Sequence, residues 1–161
     1  MGQVLSLNAL QGALEKEREQ QHPIVSTNGC FDILHIGHLR YLQACKKPGE
    51  RLVVYVNSDE SIKRLKGPSR PIVGQDDRAE LLAGLACVDY VILFEEDTPQ
   101  ALLEAIRPDF HAKGAQYTPE TLPEMPLLRR LGVEVRFIEM VPGRSTSNLI
   151  QRIEHGTSPT C

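Results

Sequence analysis

The sequence predicts an α/β protein with a Rossmann-like, doubly wound sheet of about five parallel strands and helices on both faces. Three observations support this prediction. Short apolar runs alternate with amphipathic segments, glycine and proline mark many of the boundaries, and residues 51–57 contain a continuous apolar run. Such a run is typical of a strand that is buried on both faces, and the alternation favours parallel pairing with right-handed crossovers. We therefore expect ligands to bind at the carboxyl ends of the strands, near the point where strand order reverses.

The predicted elements follow one another in a regular order. An amphipathic helix at residues 5–20, within an N-terminal segment of residues 1–22, places Leu7, Leu10 and Leu14 on one stripe. We predict strands at residues 23–28, 51–57, 90–94, 109–113 and 133–140. We predict the other helices at residues 32–45, 61–65, 76–87, 99–106 and 147–153, with a Gly/Pro loop at 67–71. The tail from residue 155 is expected to fray.

The size and composition are those of one ordinary domain, which we assign to residues 1–161. Apolar residues make up 41%, charged residues 24%, and the net charge is -3, which excludes a disordered chain and argues against a nucleic-acid-coating protein. No leader-like segment and no apolar run long enough to span a bilayer is present, so we expect a cytoplasmic protein without a membrane partner. The irregular spacing of Cys30, Cys45, Cys87 and Cys161 indicates reduced thiols.

Residues 28–38 combine several features suited to binding phosphate, in a turn from a strand into a helix. Gly29 permits a tight turn, and Gly37 lets an anion approach the backbone at a helix start, where free amides favour negative charge. His35 and His38 are three residues apart, so we expect them on the same side of the helix start. Two imidazoles near pKa 6.5 would donate hydrogen bonds to phosphate oxygens and stabilise charge during displacement at an α-phosphorus.

Two other interpretations of these histidines compete. An isolated pair with this spacing is more often a helix cap or a surface feature, but the preceding strand and the Gly-Cys-Phe-Asp segment favour a site. A metal centre would combine Cys30, His35, His38 and Cys45. Helix geometry would scatter the two thiols away from the imidazoles, so we predict no metal held directly by the protein.

Residues 28–38 resemble the signature of the cytidylyltransferase-like nucleotidyltransferases. The same four letters, His-Ile-Gly-His, occur in class I aminoacyl-tRNA synthetases, but this chain is too short and lacks a lysine-rich second signature and a tRNA-binding region. The resemblance extends over nearly the whole chain and is strongest to the heptose 1-phosphate adenylyltransferases, which supply ADP-heptose for bacterial lipopolysaccharide. It depends on residues 56–59 with 61–67, 69–72, 94–99, and 107–109 leading to 113–114.

The resemblance implies transfer of AMP from ATP to D-glycero-β-D-manno-heptose 1-phosphate, with release of pyrophosphate. It also implies Mg²⁺ carried by the triphosphate, a homodimer, and a separate enzyme that makes the heptose phosphate, since many bacteria fuse this domain to a sugar kinase. Two alternatives remain: a cytidylyltransferase acting on glycerol 3-phosphate or a similar alcohol phosphate, and a nucleotide-binding regulatory module without turnover.

The predicted site residues form three groups. The catalytic group is His35, His38 and Lys46. The nucleotide-binding group is Asn28, Gly29, Cys30, Phe31, Asp32, Gly37, Lys113, Gly114, Ser145, Thr146 and Ser147. The group assigned to the substrate phosphate is Asn57, Asp59, Lys66 and Arg70.

Position in the chain and the family resemblance support these assignments. Lys46, Lys66 and Arg70 are expected at the same end of the sheet as the histidines, although solvated lysines are the simpler interpretation. Residues 143–147 precede the last helix, where the family has a Ser/Thr-rich signature that contacts the triphosphate; Arg144 would add a cation. In the family, the segment corresponding to Lys113 lines the nucleotide pocket.

Several residues remain open. Asp32 would either cap the helix start or orient a histidine or a magnesium-bound water. Gln116 stands where the heptose enzymes usually carry an aspartate, and residues 123–132 lack their Gly-Gly turn, which leaves the sugar specificity unsettled. His22, His111 and His155 have no motif around them and are interpreted as solvent or packing residues.

Overall fold

The computed structural model describes residues 1–140, 142–143 and 145–156. Arg144, the expected extra cation, and residues 157–161, including Cys161 and most of the expected frayed tail, lie outside these residues. The strands are β1 (Gln3–Val4), β2 (Ile24–Gly29), β3 (Arg51–Asn57), β4 (Tyr90–Phe94), β5 (Phe110–Gly114) and β6 (Glu134–Ile138). The helices are α1 (Leu7–Glu19), α2 (Ile36–Cys45), α3 (Asp59–Lys66), α4 (Gln75–Ala83), α5 (Gln100–Ile106), α6 (Met125–Leu131) and α7 (Thr146–His155).

The strands form one parallel sheet in the order β1-β4-β3-β2-β5-β6. From β2 the chain first builds outward through β3 and β4, and then crosses to the other side of β2 to add β5 and β6. Strand order therefore reverses between β2 and β5, which is where a doubly wound sheet binds ligands. The predicted parallel sheet is confirmed. Its sixth strand, β1, is an edge strand of two residues and is too short to produce a hydrophobic pattern.

Helices cover both faces of the sheet, as predicted. Successive residues of a strand point to opposite faces, so Ile24 joins one apolar cluster and Val25 the other. The first cluster contains Leu10 and Leu14 of α1 with buried residues of α5 and α6, and the second contains Leu42 of α2 with buried residues of α4. The N-terminal helix is thus packed against the core of the domain.

Element boundaries differ from the prediction in two places that affect the site. The helix expected from residue 32 begins at Ile36, after a loop in which Phe31 and Ile33 both have φ 50°. Those left-handed residues make the turn, whereas Gly29 still belongs to the strand. The second difference is α6, which was missing from the predicted order and is preceded by Pro123 and Glu124, two residues that line the site.

Cys30, Cys45 and Cys87 are free thiols, as predicted. Within the described residues, no helix has both the length and the apolar character needed to cross a membrane.

Candidate active site

A cleft of about 550 Å³ opens at the carboxyl ends of the central strands. Its walls come from the segments that follow β2, β3, β4 and β5, together with the start of α7. The strand-order reversal lies at the same end of the sheet, so the cleft occupies the position predicted for a ligand site.

The two histidines of the motif form a stacked pair. Their ring centroids are 3.9 Å apart at an interplanar angle of 24°, and His38 lines the cleft. His35 is the N-cap of α2, and its Nδ1 accepts the amide hydrogen of Gly37 at 3.1 Å. The expected pairing of the histidines is therefore confirmed, but the Gly37 amide is engaged by His35 and is not free for an anion.

His38 is neutral at neutral pH. Burial is the largest cause and, together with electrostatic effects of His35 and Lys66, lowers the pKa of His38 to about 4 against an opposing effect of Asp32. The expectation of an ordinary pKa near 6.5 is thus wrong for this residue. Among the described residues, His38 Nδ1 is buried without a hydrogen-bond partner. A neutral imidazole at the cleft donates one hydrogen bond and gains a proton most readily when an anion arrives.

Asp32 ties the loop before α2 to the segment that follows α3. Its carboxylate accepts hydrogen bonds from Arg70 Nε at 2.7 Å and from the amides of Ile72 and Val73 at 2.9 Å each. Burial alone would raise the pKa of Asp32, but these amides and the guanidinium outweigh burial and lower it. Of the two roles left open for Asp32, the helix cap is wrong, because His35 holds that position. Its carboxylate positions the loops around the cleft.

Arg78 is the main site residue that the sequence did not reveal. It is 1% exposed and donates from Nε to the carbonyl of Val73 at 2.9 Å, from Nη1 to that of Cys30 at 2.5 Å, and from Nη2 to that of Asn57 at 2.9 Å. It also contacts Asp59 Oδ1 at 2.7 Å. One buried guanidinium thereby joins the loops after β2 and β3 to the segment before α4.

Lys113 enters the cleft from the end of β5. Its Nζ donates to Asn28 Oδ1 at 2.8 Å across the β2–β5 reversal, and it lies 5.2 Å from the centroid of the Tyr117 ring. Burial lowers the pKa of Lys113. A Cβ on Gly114 would lie 2.1 Å from Gln116 Oε1, so the glycine leaves room for that side chain. Asn28, Lys113 and Gly114 all line the cleft, as the sequence predicted.

The start of α7 meets the histidine loop. Thr146 lines the cleft and donates from Oγ1 to the carbonyl of Asp32 at 2.7 Å. Ser145 is the N-cap of α7, with its Oγ accepting the amide hydrogen of Asn148 at 3.2 Å. It lines a smaller pocket beside His35 and not the main cleft. Ser147 is exposed and is not part of either wall.

The predicted phosphate residues separate into two sets. Lys66, Arg70 and Asn57 line the cleft, and Lys66 is exposed there. Asp59 pairs with Arg78 and lies in a separate groove among other acidic residues. A carboxylate in that setting repels phosphate, so the expectation for Asp59 is not supported by its position.

Lys46 lies at the wrong end of the sheet for catalysis. Its Nζ is 2.6 Å from Asp89 Oδ2, and the same oxygen accepts the amide hydrogen of Leu52 near the start of β3. The ten residues of α2 carry the chain about 15 Å away from the histidine loop. The predicted catalytic role of Lys46 is therefore a wrong assignment, and its ion pair fixes the amino-terminal ends of the strands.

The described residues contain no group of three or more His, Cys, Asp or Glu side chains suited to a metal ion. Cys45 is the last residue of α2 and is buried in the core, and burial raises the pKa of its thiol to about 12. The alternative metal centre on two thiols and two imidazoles has no geometric support.

Together, the doubly wound sheet, the stacked histidines at the start of α2 and the helix start at Thr146 define a nucleotidyltransferase-type domain. The family profile described as Cytidylyltransferase-like matches residues 26–152, which is most of the chain. This chain belongs to the cytidylyltransferase-like family, as the motif in residues 28–38 predicts.

Individual relatives agree with this assignment. The bifunctional protein HldE of Syntrophotalea carbinolica is 50% identical over 145 residues, covering 90% of this chain and 30% of that protein. The bifunctional protein HldE of Methylobacillus flagellatus is 49% identical over 150 residues, covering 93% of this chain and 31% of its own length. The chain thus spans less than a third of these two relatives.

A solved structure is also similar. The lipopolysaccharide core biosynthesis protein from Thermoplasma volcanium superimposes with a TM-score of 0.59 at 33% identity, covering 74% of this chain and 96% of that one.

Proposed function

We propose that this chain transfers the adenylyl group of ATP to D-glycero-β-D-manno-heptose 1-phosphate, forming ADP-heptose and pyrophosphate. The observation that carries this proposal is the shared cleft: His38, Lys113 and Thr146 come from three separate segments and line one pocket where strand order reverses. A cation, an imidazole and a helix start converge there, which suits a ligand with several phosphates.

In the reaction, a phosphate oxygen of the sugar phosphate attacks the α-phosphorus of ATP. The bond from the α-phosphorus to the oxygen bridging to the β-phosphate breaks, and that oxygen leaves with pyrophosphate. No nucleophilic side chain is needed, so the protein contributes positioning and charge stabilisation. His38 donates to the phosphate where negative charge grows, and Lys66 and Lys113 offset the charge of the two substrates.

Magnesium enters this scheme as part of the MgATP substrate. The cleft offers Lys66, Arg70 and Lys113 to the phosphates, whereas the Asp32 carboxylate is occupied by Arg70 and two amides. Mg²⁺ commonly binds through substrate phosphates and retained waters, and this arrangement suits such a cleft. We also propose that the protein is located in the cytoplasm and forms a homodimer.

The choice of heptose follows the relatives. The structural neighbour is named for lipopolysaccharide core biosynthesis, and two relatives named bifunctional protein HldE share about half of their aligned residues with this chain. Those relatives are about three times as long as this chain, so the test varies both the nucleotide and the sugar phosphate.

The test is pyrophosphate release measured over a matrix of ATP and CTP against heptose 1-phosphate, mannose 1-phosphate and glycerol 3-phosphate. We expect release with ATP and the heptose phosphate. Preference for CTP with glycerol 3-phosphate would replace the proposal by the cytidylyltransferase alternative, and tight ATP binding without release from any pair would support a regulatory module.

The matched variants are His38→Ala and His155→Ala. His155 lies at the end of α7, where its side chain is exposed and bonded to the Gln151 carbonyl, so its loss should leave the rate unchanged. Loss of His38 should lower kcat/KM by about a hundredfold or more, as removal of a transition-state donor does. Equal rates in both variants would refute the role of His38.

A further inference from the structure

Glu124 has a buried carboxylate whose two oxygens have different surroundings. The residue is 4% exposed and lies in the wall of the cleft. Oε1 is 3.7 Å from Lys113 Nζ, while Oε2 is buried and has no hydrogen-bond partner within residues 1–140, 142–143 and 145–156. Buried polar atoms in folded proteins are nearly always paired, so this oxygen requires an explanation.

Neither a helix cap nor a short ion pair explains the burial of Glu124. It occupies the N-cap position of α6 but makes no side-chain capping hydrogen bond. Its separation from Lys113 exceeds a hydrogen-bond distance, and the short contact of Lys113 goes to Asn28 Oδ1 at 2.8 Å. The carboxylate of Glu124 therefore lies beside the ammonium group of Lys113 and forms no hydrogen bond with it.

The missing partner must be a donor, because a carboxylate only accepts hydrogen bonds. The last torsion of a glutamate side chain is soft, so either oxygen can turn toward a ligand in the cleft. The ammonium group of Lys113 donates and the carboxylate of Glu124 accepts, and the two groups are adjacent. That arrangement matches neighbouring hydroxyls on a sugar ring, each of which both donates and accepts.

We propose that Glu124 is a specificity-determining residue that accepts a hydrogen bond from a ring hydroxyl of a bound substrate. The hydroxyl belongs either to the ribose of the nucleotide or to the sugar of the sugar phosphate. The inference depends on the proposed function for the identity of these two ligands. It places substrate selection on the loop between β5 and α6, where Gln116 and Pro123 also line the cleft.

The test is calorimetric binding, which does not require turnover. MgATP and heptose 1-phosphate are titrated separately into the wild type, Glu124→Gln and the control Glu120→Gln, which alters an exposed carboxylate on the same loop. We expect Glu124→Gln to weaken one of the two ligands about tenfold, since a charge-assisted hydrogen bond is replaced by a neutral one. Glu120→Gln should bind both ligands like the wild type.

Deoxy nucleotides identify the source of the hydroxyl. If it is the ribose, the wild type binds 2′-deoxy-ATP or 3′-deoxy-ATP more weakly than ATP, and Glu124→Gln no longer distinguishes them. If it is the sugar, only heptose 1-phosphate binding changes. Unaltered affinity for both ligands in Glu124→Gln, or equal weakening of both, overturns the proposal.

Glu124→Ala serves as a second variant should Glu124→Gln fail to fold, with the same expectations. Pyrophosphate release by the wild type is measured in parallel. Absent release with intact, Glu124-dependent binding would reject the proposed reaction and leave this inference standing.

Discussion

The carboxylate of Asp32 holds the guanidinium group of Arg70 at 2.7 Å between Oδ2 and Nε, and the Asp32 side chain is 1% exposed while that of Arg70 is 12% exposed. This contact attaches the segment after α3, which carries cations into the cleft, to the loop that carries the histidines. Asp32 and Arg70 are 38 residues apart in the chain, so the ion pair fixes the position of one segment of the site relative to the other.

Asp32→Asn should destabilise the protein by about 3 kcal/mol, because it leaves a buried guanidinium uncompensated and removes an acceptor from two amides. The measurement is urea unfolding at pH 7. The control is Glu104→Gln, which breaks an exposed pair with Arg130 and should cost less than about 1 kcal/mol. Equal losses in the two variants would show that the buried pair does not hold the loops.

Lys66→Ala and Lys46→Ala distinguish two of the three lysines that were assigned to the site from the sequence. Lys66 lines the cleft, so its loss should raise the KM of ATP or of the sugar phosphate about tenfold, as expected for one charge-assisted contact. Lys46 pairs with Asp89 at the opposite end of the sheet and should leave both KM values within about twofold. Steady-state kinetics checks this, and the reverse order of effects would contradict the assigned positions.

His35→Asn should raise the pKa of His38 from about 4 toward its usual value of 6.5. Burial is the larger cause and remains, so the rise should be partial, since only the electrostatic effect of the stacked imidazole is removed. Asparagine keeps the N-cap, because its side-chain oxygen can still accept the amide hydrogen of Gly37. The pKa is read from the ring proton signals of His38 in an NMR titration, with His155→Gln as control. An unchanged or lower pKa in His35→Asn would refute electrostatic coupling within the pair.

His111 makes stability depend on pH. It is fully buried, its Nδ1 is 2.7 Å from Ser26 Oγ, and burial lowers its pKa to about 3. The unfolded chain binds this proton near pH 6.5, so the stabilising contribution is complete above pH 6.5 and is lost as pH falls from there toward 3. Within this window we expect the free energy of unfolding to fall by about 1 kcal/mol per pH unit because of this residue.

Urea unfolding of the wild type and His111→Asn between pH 5 and 8 measures that slope. Protonation of His38 at low pH also destabilises the folded protein. The contribution of His111 is therefore the difference between the slope of the wild type and that of His111→Asn. The variant should show a smaller dependence on pH below 6.5. Parallel curves would mean that His111 does not carry the effect.

The sequence predicted the parts of the site that depend on local pattern. The strand at 90–94 was predicted with its observed bounds, and the histidine motif and Lys113 were placed correctly at the ends of their strands because parallel strands share one edge. Family resemblance added Thr146, which is distant in the chain from the histidines and meets them only through the fold.

The missed features depend on tertiary packing. Arg78 lies in an acidic helical segment whose pattern is that of a solvated face, and only the folded structure shows it buried among three carbonyls. Lys46 was misplaced although the predicted helix already ended at residue 45, because the direction of that helix, back toward the amino-terminal ends of the strands, was not applied to the residue that follows it. The buried carboxylate of Glu124 was hidden in a segment for which no helix had been predicted.

The most direct test of adenylyl transfer follows the phosphate oxygens of the sugar phosphate into the products. Heptose 1-phosphate carrying ¹⁸O in its phosphate is incubated with MgATP and the wild-type protein, and the products are analysed by mass spectrometry. Direct displacement at the α-phosphorus predicts that all the label remains in ADP-heptose and none appears in pyrophosphate. Label in pyrophosphate, or formation of AMP without a nucleotide sugar, would contradict the account.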